Sequence, residues 1–304
     1  VPEAQHHDRE PIPAFANPGS GRGQAAAEAI RADTRFALVD VGAGGLADAI
    51  RAEAERGARR VLVAGGDGTI ATAAEVACET ELEVAVLAAG TLNHFARDNG
   101  VPLDFGEALE LAATGAAAAV DVGFVNDRPF LNTSSVGAYV GFVRHRDRLE
   151  RWMGYRTASF VSGLRMLARL RSFEVVVRVE GQVRRYHTAM VFIGVGERET
   201  RFPTFGGRVE NGRPGLHVIA VRGKRVARLT ALGVAAAARG LKLVSQNPDV
   251  DAFLVDECTI EMPKRLSYLA VDGETLRTEA PFRYRLARGA LRVVLPPADA
   301  GRAP

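Results

Sequence analysis

Two cysteines in 304 residues, Cys78 and Cys258, are too few for a disulfide framework, and neither sits at a metal-ligand spacing. That absence fits a reducing cytoplasm, with both thiols as small core residues. Long apolar runs are also missing. Stretches such as Ala116–Val120 and Val234–Ala238 fall far short of the roughly 20 residues that cross a bilayer, so no membrane-spanning helix is expected. Lysine is scarce, three against 36 arginines, and no Gly-Lys-Ser/Thr occurs, which excludes the Walker phosphate loop. The first ten residues have neither a basic start nor an apolar stretch, so they do not resemble a signal peptide and read as a flexible tail over 1–10.

What is present is globular: 47% hydrophobic and 25% charged residues, with 32 glycines, too many for an all-helical protein. The length suits two domains with separate cores. The net charge of +3 is modest but unevenly spread. Between Arg144 and Arg171 stand eight arginines against Asp147 and Glu150. Such an excess favours anionic surfaces, and a solvated helix face has the same composition.

The first third alternates strand-like and helix-like stretches, predicting an α/β layer with a largely parallel sheet. Strands are expected at Pro13–Ala16, Phe36–Val41, Val61–Ala64 and Glu83–Ala88, with helices at Gln24–Ala32, Leu46–Arg56 and Ile70–Cys78. From about residue 120 the pattern turns to antiparallel β, interrupted by helices at about 139–170 and 225–244. Glu180-Gly181-Gln182 reads as a hairpin turn, and Asp272-Gly273-Glu274 as another, between Ser267–Val271 and a strand starting at Phe282.

Three of the early strands end in small, polar, glycine-containing loops, and in open α/β sheets ligands sit at the carboxyl ends of strands. The first loop is Asn17-Pro18-Gly19-Ser20-Gly21, where proline stiffens the entry and the glycines free backbone donors. The second, Gly65-Gly66-Asp67-Gly68-Thr69, places three glycines, a carboxylate and a hydroxyl just before a helix N-terminus, a favourable setting for a phosphate. Asp67 suits a ribose or a metal-bound water, and Thr69 a phosphate. Thr91 and Asn93 supply similar groups from the third loop. The three loops are expected to converge on one site.

Taken together with Gly90-Thr91-Leu92-Asn93-His94-Phe95-Ala96-Arg97, Asn132-Thr133-Ser134-Ser135-Val136-Gly137 and Val271-Asp272-Gly273-Glu274, these loops resemble the diacylglycerol kinase catalytic family, which includes sphingosine kinases and bacterial lipid kinases. The resemblance runs over about residues 11 to 297. It implies an NAD-kinase- and phosphofructokinase-like α/β domain at 11–122, a mainly antiparallel β domain with helical insertions at 123–289 that holds the lipid, and a last strand within 290–304 returning to the first domain. The nucleotide is expected in the cleft between them. ATP and Mg²⁺ are the implied cofactors. Asn17, Pro18, Gly19, Ser20, Gly21, Gly65, Gly66, Asp67, Gly68, Thr69, Thr91, Asn93 and Glu274 are the implied nucleotide contacts, with Asp67 meeting ATP-bound magnesium directly or through water. Asp272 is the implied general base, because a carboxylate can accept the proton of an attacking alcohol.

The implied activity is phosphoryl transfer from ATP to diacylglycerol or a related lipid alcohol. A kinase of the same fold with a soluble acceptor such as NAD, and a non-catalytic nucleotide-binding regulator, stay open beside it. Expected partners are ATP, a lipid alcohol and an anionic membrane face, with a homodimer left open and no nucleic acid. In the Arg144–Arg171 segment Phe160, Leu164 and Leu167 form a stripe flanked by Arg165, Arg169 and Arg171, suited to lying on a bilayer or to packing on the β domain. Two departures from the family pattern stand out. His94 occupies a position where many members carry aspartate. Asn211–His217 contains no Asp or Glu where bacterial members hold a structural Mg²⁺, so that metal is not expected here.

Overall fold

The computed structural model describes residues 10–137, 140, 172–200, 207–209, 211–222 and 250–297. Apart from residue 140, the helices expected at about 139–170 and 225–244, and with them the Arg144–Arg171 stripe, lie outside the described residues. The chain divides into two units, one formed by Val1–Val120 with Gly289–Pro304 and the other by Asp121–Arg288. Strands β5 (Ala117–Val125) and β15 (Phe282–Val294) carry the chain from one unit into the other.

The first unit is a parallel sheet in the order β2-β1-β3-β4, formed by β1 (Ile12–Ala16), β2 (Phe36–Leu38), β3 (Arg60–Gly65) and β4 (Glu83–Ala88). The end of β15 adds a further parallel strand, Arg292 facing Glu83. Val61 through Gly65 are all buried, as expected of a strand covered on both faces. Helices α1 (Gly23–Ala32), α2 (Leu46–Glu55), α3 (Asp67–Thr80), α4 (His94–Asp98) and α5 (Phe105–Thr114) complete the unit. Its core is rich in small side chains, with Ala14, Ala26, Ala64 and Ala85 around Ile30, Leu62 and Leu87, so helix and sheet backbones approach closely. Arg60 ties the layers together. Its guanidinium reaches Glu83 at 2.8 Å and donates to the carbonyls of Ala112 and Gly115 at the end of α5.

Helix α5 follows a readable signal, Asp104-x-x-Glu107, in which the Asp104 carboxylate accepts the Glu107 N–H at 3.1 Å. Helix α3 begins at Asp67 rather than Ile70, so Asp67, Gly68 and Thr69 form its first turn instead of a preceding loop. That turn leaves backbone N–H groups without intrahelical acceptors.

The second unit is antiparallel. Its strands run β14-β13-β7-β9-β8-β12-β15, with β10 beside β9, β11 beside β10, and β6 beside β5. The ranges are β6 (Arg128–Phe130), β7 (Thr133–Gly137), β8 (Phe173–Val179), β9 (Gln182–Val195), β10 (Leu216–Arg222), β11 (Val250–Val255), β12 (Glu257–Glu261), β13 (Leu266–Val271) and β14 (Glu274–Glu279). The β8–β9 hairpin turns at Glu180 and Gly181, both at positive φ (49° and 74°), the backbone twist that favours tight hairpins. One face carries the core, where Phe130 and Tyr284 meet edge to face at 6.1 Å among Val177, Val191, Ile193 and Leu216. The buried Tyr284 hydroxyl is satisfied by Ser134 Oγ at 3.0 Å. Burial pushes the Cys258 thiol up to about 12, consistent with an inert core residue.

Three expectations need correction. Asp272-Gly273 does make a hairpin turn, but its second strand is β14, which pairs Glu274 with Val271 and Glu279 with Leu266, not the strand from Phe282. The segments Phe282–Leu286 and Ala290–Leu295 are one continuous strand, β15. Strand β2 stops at Leu38, three residues before the predicted end.

Candidate active site

The three loops of the first unit meet at the carboxyl ends of β1, β3 and β4, where the order β2-β1-β3 reverses the direction of winding. Asn17 joins the first loop to the second. Its N–H donates to the carbonyl of Ala64 at 2.9 Å, and its side-chain amide donates to Thr69 Oγ1 at 3.0 Å. The Asn17 side-chain oxygen accepts the Gly19 N–H at 3.0 Å, curling the loop. The first and third loops join through the Arg22 N–H, which donates to the carbonyl of Ala89 at 2.8 Å.

The second and third loops touch backbone to backbone. A Cβ built on Gly90 would lie 2.4 Å from Gly66 Cα, and one on Gly65 would lie 2.5 Å from Thr69 Oγ1. Asn93, buried and at φ 53°, closes the third loop by accepting the Gly90 N–H and donating to the Gly90 carbonyl, each at 2.9 Å. The Asp67 carboxylate accepts the N–H groups of His94 (3.1 Å) and Phe95 (2.9 Å), anchoring the start of α4. Gly19 and Gly21 are different. Both are exposed, neither is at positive φ, and a Cβ on either would meet nothing closer than 3.3 Å. Packing does not demand these two glycines, and their exposed backbone is what a ligand needs to approach closely. Pro18 and Thr91 are also exposed, while Ser20 and Gly68 are half-buried.

In the second unit Asp272 sits at φ 45° in the β13–β14 turn and faces the strand connection before β7. Its Oδ2 accepts the Leu131 N–H at 2.7 Å, and its Oδ1 accepts those of Asn132 (2.9 Å) and Thr133 (2.8 Å). Its own N–H donates to the carbonyl of Thr133 at 2.8 Å. These three backbone donors, spread over both carboxylate oxygens, fix the orientation of the group. Glu274 is exposed and pairs with Arg128 at 3.1 Å.

Residues 11–125, which carry all three loops, match the family model described as the diacylglycerol kinase catalytic domain. That match takes in 115 of the chain's 304 residues, so the likeness to the catalytic domain is one of the first unit. A diacylglycerol kinase of Mycobacterium tuberculosis H37Rv is 27% identical over 192 residues, covering 59% of this chain and 62% of that protein. The chain therefore spans less than two thirds of that relative's length. A probable lipid kinase, YegS-like, from Pseudomonas savastanoi pv. phaseolicola is 42% identical over 83 residues, 27% of either chain. A crystal structure of a diacylglycerol kinase from Bacillus anthracis Sterne superposes with a TM-score of 0.67 at 21% identity, covering 95% of this chain and 98% of that one, which establishes the shared fold.

The structural Mg²⁺ that the sequence resemblance implies near Asn211–His217 meets described residues that do not fit it. The Glu197 carboxylate is taken by Arg213, through the Arg213 N–H at 2.9 Å and its guanidinium at 3.2 Å. Nδ1 of His217 accepts the Arg198 N–H at 2.8 Å. No group of three or more His, Cys, Asp or Glu able to hold a metal occurs among the described residues. Burial holds the His217 imidazole below its ordinary value, and the nearby Arg213 and Arg198 charges push the same way against Glu197.

That depression has a definite sign. A histidine that resists protonation in the folded state contributes stability in full above its unfolded value of about 6.5, and loses it as pH falls from there toward the lower folded value. Thermal unfolding at pH 7.5 and 5.5 should show a larger drop for wild type than for His217→Gln. Equal drops would mean that His217 titrates as it does in the unfolded chain.

Arg198 is a residue that sequence reasoning passed over. A lone arginine in a glycine-rich loop looks like any solvated one, and its near-complete burial, at 4% exposure, appears only in three dimensions. The helix expected over 139–170 carries the proposed membrane stripe and, apart from residue 140, lies outside the described residues. No helix among the described residues is long and apolar enough to cross a membrane.

Proposed function

We propose that this chain is an ATP-dependent lipid kinase that transfers the γ-phosphoryl group to a hydroxyl of diacylglycerol or a related lipid alcohol. The observation that carries this reading is the convergence of the three polar loops at the strand ends of a domain matched to the diacylglycerol kinase catalytic family. In this reading the exposed backbone at Gly19 and Gly21 and the N–H groups of the first turn of α3 hold the nucleotide phosphates, assisted by Ser20, Gly68, Thr69 and Thr91. Asn17, Gly65, Gly66 and Asn93 keep those loops in register, and Pro18 stiffens the entry to the first. Asp67 holds the start of α4 and would meet, directly or through water, a divalent cation arriving with ATP, which would neutralise phosphate charge.

Asp272 acts as the general base, taking the alcohol proton as the oxygen attacks phosphorus, with its orientation set by the N–H groups of residues 131–133. Glu274 belongs to the same turn, pairs with Arg128, and from its exposed position serves as a further nucleotide contact. A second reading has a specific observation behind it: three backbone donors on one carboxylate also suit a purely structural clamp. Peripheral contact with an anionic bilayer would let the acceptor reach the enzyme without full extraction into water.

The test is a competition among acceptors. Purified protein with γ-labelled ATP, MgCl₂ and a mixture of diacylglycerol, a sphingoid base and NAD should place the label in a lipid. Label on NAD would establish the soluble-acceptor alternative, and nucleotide binding without any transfer would establish a regulator.

A further inference from the structure

The connection between β9 and β10 is braced from within by a guanidinium. Arg198 Nη2 donates to the carbonyls of Val195 (2.7 Å) and Asn132 (3.0 Å), while the Arg198 N–H donates to His217 Nδ1. The side chain lies flat against β9, since a Cβ on Gly194 would come within 2.4 Å of Arg198 Cγ. The Asn132 carbonyl also accepts the Val195 N–H at 3.0 Å, and the N–H groups of Asn132 and Thr133 hold the Asp272 carboxylate. Arg198 is thus two hydrogen bonds from Asp272.

Inward-facing backbone carbonyls beside a carboxylate are the oxygen donors that a hard divalent cation takes. In this chain the Val195 and Asn132 carbonyls accept from a guanidinium, and the Glu197 carboxylate is engaged by Arg213. A divalent ion placed beside the buried Arg198 would meet like charge at close range in a medium that screens it poorly. We propose that the Arg198 guanidinium is the resident cation between the β9–β10 connection and the Asn132–Thr133 segment, so that this segment is held without the divalent ion that the family resemblance implies further along the same connection, near Asn211–His217.

The test uses the full chain without nucleotide or acceptor, so its outcome is independent of the kinase reading. Thermal unfolding is compared in EDTA and in millimolar MgCl₂, and bound metal is counted after desalting. Wild type should unfold within about 1 °C in the two conditions and retain no stoichiometric metal, since a site filled well above its Kd would raise the midpoint by several degrees. Arg198→Met should lower the midpoint in EDTA by roughly 5 °C or more, up to failure to fold, and Arg198→Lys should recover part of that loss. A Mg²⁺-dependent rise of several degrees in wild type, one retained equivalent of metal, or an Arg198→Met variant as stable as wild type would each overturn the proposal.

Discussion

Asp272→Asn should lower turnover by about 10²–10⁴-fold, the usual contribution of a general base, and should also destabilise the fold by about 1–3 kcal/mol. The second effect follows from the hydrogen bonds. Both carboxylate oxygens accept backbone N–H groups, one from Leu131 and two from Asn132 and Thr133. An asparagine amide must turn its NH₂ toward one of those sides, setting donor against donor. Turnover measured below the variant's unfolding transition, alongside nucleotide affinity, separates the two contributions. The general-base account requires a loss of kcat with ATP affinity essentially retained. Normal kcat in a less stable protein would make Asp272 a clamp and nothing more.

Gly90→Ala should weaken nucleotide binding at least about tenfold, or about 1.4 kcal/mol, while costing roughly 1–3 kcal/mol of stability. The new Cβ would stand 2.4 Å from Gly66 Cα and 3.2 Å from Gly66 N. These are backbone atoms, which cannot rotate aside, so the second and third loops must separate. Gly42→Ala is the matched control, because a Cβ there meets nothing within 4 Å, and its stability should stay within about 0.5 kcal/mol of wild type. Isothermal titration with ATP and MgCl₂ reads both variants. An unchanged affinity in Gly90→Ala would mean that the loop contact has no part in holding the nucleotide.

The parallel sheet was legible because β1, β3 and β4 are short apolar runs ending in glycine-containing loops, and burial of β3 and β4 leaves polar residues only at their first positions, Arg60 and Glu83. Strand β7 was not legible as a strand. Its sequence, Thr-Ser-Ser-Val-Gly, carries one large apolar residue, and it is a strand because β9 and β13 pair with it on either side, Ser135 facing both Phe192 and Ala270. Strand β14, Glu-Thr-Leu-Arg-Thr-Glu, is polar in the same way and owes its form to the turn at Asp272-Gly273. These are long-range decisions, outside the reach of local periodicity. At the site, the loops could be read from residue type and spacing, including Asn17, Asp67 and Asn93. Their division of labour could not: Asn17 and Asp67 spend hydrogen bonds on joining loops and Asn93 on closing its own, whereas the exposed Gly21 is demanded by neither packing nor a positive φ.

The central claim is transfer of phosphorus from ATP to a lipid hydroxyl. The most direct measurement incubates wild type and Asp272→Asn with γ-³²P-ATP, MgCl₂ and vesicles containing diacylglycerol, then extracts and chromatographs the lipid. The account predicts label in a lipid phosphomonoester with wild type, depleted at least about a hundredfold with Asp272→Asn. Label confined to the aqueous phase for every lipid alcohol offered, from a folded protein that binds ATP, would contradict it.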